Sequence, residues 1–459
     1  MINPNIFREY DIRGIVADDF SDEVVELLGK AFGTFIKRQN ALHISAGRDV
    51  RLSSEHLKNT FVQGVLSTGV NVTDIGEVPT PIQYFSIVQL KLDGGVMITG
   101  SHNPIEYNGF KMSQGLSSIF GAQIKILKEL IDKNDFENGT GQLHTYDIVP
   151  EYIEAIKSRL SFKRPLKVVI DAGNGTGGII PPKIWEALGL TVSRLYCEPD
   201  GSFPNHLPDP TVPKYVVDLQ KKVLAENADL GIGYDGDSDR IGTIDDKGRM
   251  IYADRLLALF SRDVLANHPN AQIVFDVKCS QALPEYIEKY GGRPVMYKTG
   301  HSLLKAKMKE LHAPLAGEMS GHMFFADDYF GFDDAIYASG RLMQMLAAQD
   351  RPLSDLADEI PPFVSTPEIR IECADEEKFS VVQQLVDYFK SKYDAIDIDG
   401  VRALFGDGWG LVRASNTQPV LVLRFEAKTA SRLIEIIEIF KEQLNKYPAV
   451  KFNDKDFDF

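Results

Sequence analysis

Short apolar runs alternate with stretches in which apolar residues recur at helical spacing, and this alternation covers most of the chain. The predicted strand ALHISAG (41–47) is followed by the predicted helix SEHLKNTFVQGVLSTG (54–69) and by the strands NVTDIGE (71–77) and GGVMITG (94–100). The same order of strand and helix returns between residues 166 and 198. Such alternation predicts an α/β protein with mostly parallel sheets.

The pattern continues beyond residue 250 and changes after a Pro-rich stretch that begins at Glu359. The strands ADLGIGYDG (228–236) and AQIVFDV (271–277) are separated by the helix RLLALFSRDVLAN (255–267). Beyond the Pro-rich stretch EIPPFVSTPE (359–368), two long helical stretches flank three strand-like segments. This last part is typical of a separate α+β domain.

Three apolar strands end in polar, Gly-containing loops. These loops are VMI-TGSHNP (96–104), LGIG-YDGDSDR (230–240) and PLAG-EMSGHM (314–323). Ligands of open α/β sheets gather at the carboxyl ends of strands, so the three loops indicate three domains that face one cleft. The domain boundaries we expect are 1–147, 148–250, 251–361 and 362–459.

The composition excludes several classes of protein. A chain of 459 residues is too long for one core, and a net charge of -15 argues against nucleic acid as a partner. Three scattered cysteines form neither a disulfide framework nor a zinc motif, and they fit a reducing compartment. No signal peptide and no bilayer-length apolar run is present, so we predict a cytoplasmic protein without a membrane partner.

The loop DGDSDR places three carboxylates in five residues, at Asp235, Asp237 and Asp239. They repel one another unless a cation is present, and hard oxygen ligands suit Mg²⁺ or Ca²⁺. An EF-hand is excluded because its Gly and Glu positions would fall on Arg240 and Asp246. A solvated acidic turn is the alternative. Since Mg²⁺ prefers few protein carboxylates together with phosphate oxygens, the loop predicts a phosphate partner, to which Arg240 is a further contact.

A glycine-rich segment, DAGNGTGG (171–178), follows a predicted strand, and Glu198 lies about twenty residues further on. This is the spacing of a dinucleotide-binding turn. The alternative, glycines that serve a tight turn and close packing, is at least as well supported, because Pro181 and Pro182 restrict the start of the following helix.

Two further loops offer groups for a sugar phosphate. Arg413, Ser415, Asn416 and Thr417 form a set of phosphate-binding groups ahead of a strand, and GEMSGH supplies Glu318, Ser320 and His322. A polar turn is the alternative interpretation of the first loop. Carboxylate and hydroxyl groups suit sugar hydroxyls, and histidine suits acid–base work near neutral pH.

Positive charge recurs in or beside polar loops although the chain is acidic. The cationic residues and the histidine found there are Arg13, Lys111, Arg240, Lys278, His301 and Arg413. This distribution predicts a small, multiply charged anion as the ligand. The P-loop pattern GxxxxGK[ST] and the nucleophile elbow GxSxG are both absent from the sequence.

Ser101, in TGSHNP, is either a turn residue or a hydroxyl placed at a strand end for chemistry. The motifs YDIRG, GRDVRLSS, TGSHNP, NGFK, DGSFPNHLPDP, DGDSDR, DVKCS, TGHS, GEMSGH and RASNTQPVLVLRFEA occur in this order. In these motifs the chain resembles the α-D-phosphohexomutase superfamily, most closely its phosphomannomutase/phosphoglucomutase branch. The resemblance extends nearly end to end.

The resemblance implies four domains around a central cleft, of which the first three share a mixed-sheet α/β core and the fourth is a smaller α+β domain. It implies a Mg-dependent interconversion of hexose 1-phosphate and hexose 6-phosphate (glucose and/or mannose), with glucose 1,6-bisphosphate as intermediate and activator. The branch is usually monomeric. The alternatives are a Mg-dependent sugar-phosphate phosphatase or phosphotransferase, and a non-catalytic sugar-phosphate binding protein.

The resemblance also implies roles for individual residues. Ser101 would carry the phosphoryl group, and its phosphate would join Asp235, Asp237 and Asp239 around Mg²⁺. Tyr10, Arg13, Lys111 and His322 would lie near the transferring group, with Lys111 and His322 as acid–base groups. The remaining substrate-binding residues would be Arg240, Lys278, His301, Glu318, Ser320, Arg413, Ser415, Asn416 and Thr417.

Overall fold

The computed structural model describes residues 2–416 and 418–457, and the strands in these ranges form four sheets that follow one another along the chain. We call each sheet with its helices a unit, numbered from the N-terminus. Short 3-10 helices lie at Pro4–Ile6, Thr176–Gly178, Pro213–Tyr215 and Asp454–Phe457.

The first unit has a mixed sheet flanked by helices. Its strands are β1 (Ile12–Ile15), β2 (His43–Arg48), β3 (Asn71–Glu77), β4 (Gly94–Ile98), β5 (Tyr107–Gln114), β6 (Ser117–Ser118) and β7 (Leu143–Thr145). Its helices are α1 (Val16–Asp19), α2 (Asp22–Lys37), α3 (Ser54–Leu66), α4 (Thr80–Gln89) and α5 (Ala122–Asp132). The order is β1-β5-β4-β2-β3-β7, with β4, β2, β3 and β7 parallel and β1 and β4 antiparallel to β5.

The second unit repeats this plan with five strands. The helices are α6 (Val149–Lys157), α7 (Pro181–Ala187) and α8 (Val217–Glu226), and the strands are β8 (Lys167–Asp171), β9 (Thr191–Leu195), β10 (Leu230–Tyr234), β11 (Ile241–Asp245) and β12 (Met250–Ile251). Strands β9, β8 and β10 run parallel, and β11 pairs antiparallel with β10. The turn between β10 and β11 therefore lies at the carboxyl end of a buried parallel strand.

The third unit has four strands, β13 (Gln272–Asp276), β14 (Arg293–Tyr297), β15 (Leu315–Gly317) and β16 (Met323–Phe325). Its helices are α9 (Ala253–Asn267), α10 (Ala282–Lys289), α11 (His301–Leu311), α12 (Ala335–Ala347) and α13 (Leu353–Ala357). Strands β14, β13 and β15 are parallel and β16 is antiparallel, so in each of the first three units a parallel interior meets an antiparallel edge.

The fourth unit is an antiparallel sheet covered by two long helices, α14 (Lys378–Lys392) and α15 (Ala430–Leu444). Its strands are β17 (Val364–Ser365), β18 (Ile369–Cys373), β19 (Asp394–Ile396), β20 (Val401–Leu404), β21 (Gly408–Ala414), β22 (Val420–Ala427) and β23 (Val450–Lys451). The predicted fold class is confirmed. The prediction of mostly parallel sheets is correct only for the sheet interiors.

The cores show how the units are joined. The second and third units share one continuous apolar core, which contains Trp185 and Phe260 and which Ile82 and Phe85 of the first unit join. The first and fourth units also have cores of their own. The fourth unit meets the third through a small cluster of Val277, Trp409 and Leu411. No helix in the described ranges is both long and apolar enough to cross a bilayer.

The glycines of DAGNGTGG serve packing. A Cβ on Gly178 would lie 1.9 Å from the carbonyl oxygen of Cys197, and one on Gly175 would lie 2.7 Å from that of Gly236. Only glycine permits such close backbone approach. The segment therefore packs directly against the DGDSDR loop. This contact favours the interpretation that the glycines serve close packing over the interpretation that they bind a dinucleotide.

Candidate active site

Ser101 lies just beyond the end of β4, at the bottom of a cleft. Its backbone is left-handed, with φ of 48°, and its side chain is buried. The Oγ atom donates a hydrogen bond of 2.7 Å to Asp235 Oδ2 and lies 3.1 Å from His102 Nδ1. This conformation is uncommon outside glycine, and here it directs the Ser101 hydroxyl toward a carboxylate of another unit.

The loop around Ser101 is held by a carboxylate, Asp49, and a guanidinium, Arg51, neither of which was among the predicted site residues. The Arg51 guanidinium donates hydrogen bonds to the carbonyl oxygens of Ser101, Asn103, Pro104 and Tyr107. Asp49 accepts from Thr99 Oγ1 and from the Arg51 backbone N–H. Both residues lie in the GRDVRLSS motif, which was noted only as part of the resemblance.

The three carboxylates of DGDSDR occupy the turn between β10 and β11. All three are fully buried, and one oxygen of each lies within 4.8 Å of the others, as in a site that could hold a metal ion. Within the described ranges, Asp237 Oδ1 and Asp239 Oδ1 have no hydrogen-bond partner. Buried carboxylate oxygens are costly to leave unpaired, so this turn fits a cation.

Lys111 supplies positive charge to two of these carboxylates. Its Nζ lies 2.7 Å from Asp237 Oδ2 and 2.5 Å from Asp239 Oδ2. Burial lowers the pKa of Lys111, but these carboxylates outweigh it and raise the pKa above its ordinary value. The pKa of Asp235 is raised well above its ordinary range, first by burial and then by the neighbouring charges of Asp239 and Asp237.

His322 and Arg240 bridge the second and third units above the acidic turn. Arg240 Nε donates a hydrogen bond of 3.0 Å to His322 Nε2, and His322 Nδ1 lies 3.1 Å from Asp333 Oδ2. Asp239, His322 and Asp333 form a second group whose ligand atoms lie within 4.8 Å. Asp333 was not among the residues predicted from the sequence, where it lies in the stretch GFDDAI (331–336).

His301 stacks on His322, with ring centroids 5.3 Å apart, and its Nδ1 lies 3.5 Å from Asp333 Oδ2. Burial lowers the pKa of His301 well below its ordinary value, and the charge of Lys305 acts in the same direction. A neutral imidazole of this kind is suited to hydrogen bonding with a ligand.

Glu318 and Ser320 lie together on the third unit. Glu318 accepts hydrogen bonds of 2.7 Å from the Gly300 backbone N–H and from Ser320 Oγ. The GEMSGH loop is therefore tied to the TGHS loop, and the carboxylate is held at the cleft surface in a fixed orientation.

Lys278 lies at the junction of the third and fourth units. Its Nζ pairs with Glu368 Oε2 at 3.0 Å, and Glu368 also lines the cleft. Burial alone would raise the pKa of Glu368, but nearby positive charge, including that of Lys278, lowers it below its ordinary value. Glu368 falls in the Pro-rich seam, where the sequence carries no functional pattern.

The fourth unit contributes a cluster of polar groups opposite Ser101. Arg413 Nε pairs with Asp399 Oδ2 at 2.8 Å, and Asn416 Nδ2 donates to Tyr10 OH at 2.7 Å. Ser415 lines the cleft next to them. Thr417, which was also predicted here, lies outside the described residues.

Arg13, in the first unit, is directed toward the serine loop. It pairs with Asp11 at 2.6 Å and donates to Asn103 Oδ1 at 3.2 Å. Its guanidinium is thus oriented by one carboxylate and one amide at the edge of the cleft.

One cleft of about 590 Å³ collects these groups. The predicted residues that line it are Tyr10, Arg13, Ser101, Lys111, Arg240, Lys278, His301, Glu318, Ser320, His322, Arg413, Ser415 and Asn416. The three aspartates lie beneath Ser101. Residues from all four units face this one volume, and cations from at least three of them surround it, so the cleft can hold a polar, multiply charged anion.

Family models of the phosphoglucomutase/phosphomannomutase domains match the chain in order. The α/β/α domains I, II and III match residues 4–138, 150–248 and 252–363, and the C-terminal domain matches residues 368–443. The chain belongs to the phosphoglucomutase/phosphomannomutase family. The family recognised from the motifs is thereby confirmed.

Individual members of the family are similar over nearly the whole chain. A phosphomannomutase/phosphoglucomutase of Pseudomonas aeruginosa is 48% identical over 441 residues, which are 96% of this chain and 95% of that one. A phosphoglucomutase of Neisseria meningitidis is 42% identical and covers 97% of each chain. A solved family member from Burkholderia thailandensis has a TM-score of 0.92 at 40% identity and covers 98% of this chain and 100% of its own.

A more distant solved structure shares the fold alone. It is an N-acetylphosphoglucosamine mutase variant of Aspergillus fumigatus in complex with glucose 1,6-bisphosphate, with a TM-score of 0.62 and 14% identity. The match covers 97% of this chain and 96% of that one.

Proposed function

We propose that this family member is a Mg²⁺-dependent phosphohexomutase that interconverts the 1-phosphates and 6-phosphates of glucose and mannose through phosphorylated Ser101. The observation that carries the proposal is the 2.7 Å contact of Ser101 Oγ with Asp235 Oδ2, beneath a cleft lined by cations. The relatives named phosphomannomutase/phosphoglucomutase support activity on both sugars.

Mg²⁺ is the ion we assign to the acidic turn. Asp235, Asp237 and Asp239 would hold it, since they offer oxygen ligands alone and two of them carry an oxygen that no described residue hydrogen-bonds. The alternative group contains His322, a softer ligand that hydrogen-bonds Arg240. When bound, the ion neutralises charge on the transferring phosphoryl group.

The reaction we propose has two transfers. In the first, the phosphoryl group leaves Ser101 Oγ for the free hydroxyl of a hexose monophosphate; that hydroxyl gives its proton to a base, Ser101 Oγ takes up a proton, and a hexose 1,6-bisphosphate results. After the sugar has turned end for end, Ser101 Oγ gives up its proton and takes the other phosphoryl group, and the sugar oxygen that loses the group takes up a proton as the second monophosphate is released. Arg13 and Arg240 stabilise the charge that is spread over the phosphoryl oxygens.

Lys111 and His322 are the groups we assign to proton transfer. His322 Nδ1 faces Asp333, which holds the imidazole in one orientation, and its Nε2 is oriented by Arg240. Lys111 lies among the carboxylates next to Ser101 and keeps its proton. Both side chains line the cleft that Ser101 faces, where the proton of the substrate hydroxyl must be received and returned.

The opposite side of the cleft would hold the phosphate that does not react. Arg413, Ser415 and Asn416 form that subsite with Lys278, and Glu318 with Ser320 would bind sugar hydroxyls that are presented alike in both orientations. A subsite that recognises the anion, irrespective of the carbon to which it is attached, is what an end-for-end turn requires. Tyr10 and His301 close the space between these groups.

The test is a coupled assay for glucose 6-phosphate formed from glucose 1-phosphate, with Mg²⁺ and a trace of glucose 1,6-bisphosphate. It is repeated with mannose 1-phosphate through an isomerase. Turnover on both sugars, lost with chelator and in Ser101→Ala, is the expected result. Net release of inorganic phosphate would instead favour the phosphatase alternative, and unchanged activity and affinity in Ser101→Ala would favour the binding protein.

A further inference from the structure

A second cavity, which we call the interface cavity, lies between the first and third units. Its volume is about 770 Å³, and no residue lines both this cavity and the cleft. One wall is the segment 116–120, which follows β5, and the facing wall is α11. Cavities of this size are typical of small-molecule sites.

The floor of the interface cavity is apolar. Leu116 and Phe120 come from the first unit, and Met308, Phe330 and Phe332 come from the third. Met308 and Phe332 are buried, whereas the others are partly exposed toward the cavity. Such a surface favours a ligand with a ring or a chain that can be removed from water.

The charge on the cavity wall is of one sign. Arg293, Lys305 and Lys309 line it, and no Asp or Glu is among the lining residues that the structure describes. This is unusual in a chain with a net charge of -15. Lys305 is neutralised by Asp333, at 2.9 Å, but Arg293 and Lys309 have no carboxylate within 4.0 Å anywhere in residues 2–416 and 418–457.

A buried hydroxyl adds hydrogen-bonding capacity. Ser302, in the first turn of α11, lines the cavity and is 1% exposed. In the described part of the chain its Oγ has no hydrogen-bond partner. Buried polar atoms are nearly always paired, so a vacant hydroxyl on a cavity wall is suited to a ligand atom.

We propose that the interface cavity binds a small organic anion with an apolar ring or chain. The apolar floor receives the ring, Arg293 and Lys309 attract the negative charge, and Ser302 completes the hydrogen bonding. This site differs from the cleft in its chemistry, because the cleft is lined by many charged groups and carries carboxylates that suit a sugar.

The probe for the experiment is 8-anilino-1-naphthalenesulfonate, an aromatic ring system with one sulfonate, titrated into the native full-length protein and followed by fluorescence. We expect saturable binding of one probe per chain that saturating glucose 6-phosphate does not displace. Lys309→Glu is expected to weaken binding about fivefold, since it replaces an attractive charge by a repulsive one. Lys307→Glu, on the same helix but outside the cavity lining, is the matched control and is expected to bind as the wild type does.

A second variant tests the volume independently of charge. Ala306 and Ala326 are exposed residues on the cavity wall, and Ala306→Trp is expected to abolish saturable binding while hexose phosphate turnover is unchanged. If Ala306→Trp does not fold, judged by near-UV circular dichroism, Ala326→Trp takes its place. The proposal is overturned by displacement with glucose 6-phosphate, by absence of saturable binding, or by equal affinities in Lys309→Glu and Lys307→Glu.

Discussion

The side-chain amide of Asn416 donates a hydrogen bond of 2.7 Å to the hydroxyl of Tyr10, which in turn donates one of 2.8 Å to the carbonyl oxygen of Thr299. These three residues belong to the fourth, first and third units. One phenol therefore ties three parts of the molecule together across the cleft, and the cleft is closed partly by this contact.

Tyr10→Phe removes both hydrogen bonds and leaves the ring in place. Each is worth about 1 kcal/mol, so we expect KM for the hexose phosphate to rise between about threefold and thirtyfold, with a smaller effect on kcat. Steady-state kinetics measure both. Tyr196→Phe, which removes a hydroxyl bonded to Asp218 outside the cleft, is the control and should leave both constants unchanged. Equal effects of the two substitutions would argue against the closing contact.

Asp237→Asn tests the metal assignment without reference to activity. Mg²⁺ that binds only the folded state adds about 2.7 kcal/mol of stability at a concentration one hundred times its Kd, so the wild type should melt a few degrees higher with Mg²⁺ than with chelator. We expect Asp237→Asn to lose most of this difference, because one of three carboxylates is removed.

The control for this measurement is Asp218→Asn, an exposed position of the same unit. Its melting temperature should respond to Mg²⁺ as that of the wild type does. A full response in Asp237→Asn, measured by differential scanning calorimetry, would place the ion elsewhere.

Arg402→Met tests how the fourth unit positions Lys278. Arg402 is buried, stacks 3.7 Å above the Trp409 ring, and donates to the carbonyl oxygens of Val277 at 2.8 Å and Cys279 at 2.7 Å. Its loss leaves two buried acceptors unpaired on either side of Lys278, each costing about 1–3 kcal/mol. We expect a lower free energy of unfolding and a higher KM.

Urea unfolding and kinetics measure these effects, and Arg432→Met, at a partly exposed position of the same unit, is the control. If KM stayed at the wild-type value while stability fell, Arg402 would support the fold without positioning Lys278. The conservative variant Arg402→Lys should restore part of the stability, since an ammonium can reach only one of the two carbonyls.

The lowered pKa of His43 predicts that the folded protein loses stability in mild acid. Burial, and then the charge of His144, lower the pKa of His43, whose Nε2 lies 2.8 Å from Thr73 Oγ1. Because the folded-state pKa is lower than the unfolded one, the unfolded chain binds the proton first as pH falls. Stability is therefore lost below the ordinary histidine pKa of about 6.5 and continues to fall until the folded-state pKa is passed.

Urea midpoints at about pH 7.5 and about pH 5.5 measure this contribution. We expect the difference between the two midpoints to be smaller in His43→Gln, which keeps a hydrogen-bonding group but does not titrate. His56→Gln, at an exposed position of the same unit, controls for general effects of histidine removal. A difference that is unchanged in His43→Gln would contradict the assignment.

Much of the fold was predictable from local pattern. The strand prediction for 94–100 and the helix prediction for 54–69 fall on β4 (Gly94–Ile98) and α3 (Ser54–Leu66). The site motifs could also be found, because glycines and polar residues that interrupt apolar strands are local signals. Other residues that orient the site, such as Asp333 and Glu368, could not, since each is a single charged residue without a local pattern and acts through contacts distant in sequence.

By itself, the sequence determined the order of strands and helices, the acidic turn, Ser101 at a strand end and the membership of the family. These properties depend on neighbouring residues, through side-chain periodicity and the conformational limits of each residue type. Only the tertiary structure decided that Ser101 meets Asp235, that Asn416 meets Tyr10, and that Gly175 and Gly178 pack against backbone. Such contacts depend on how separate units pack, and packing is set by the whole apolar core rather than by any local stretch of chain.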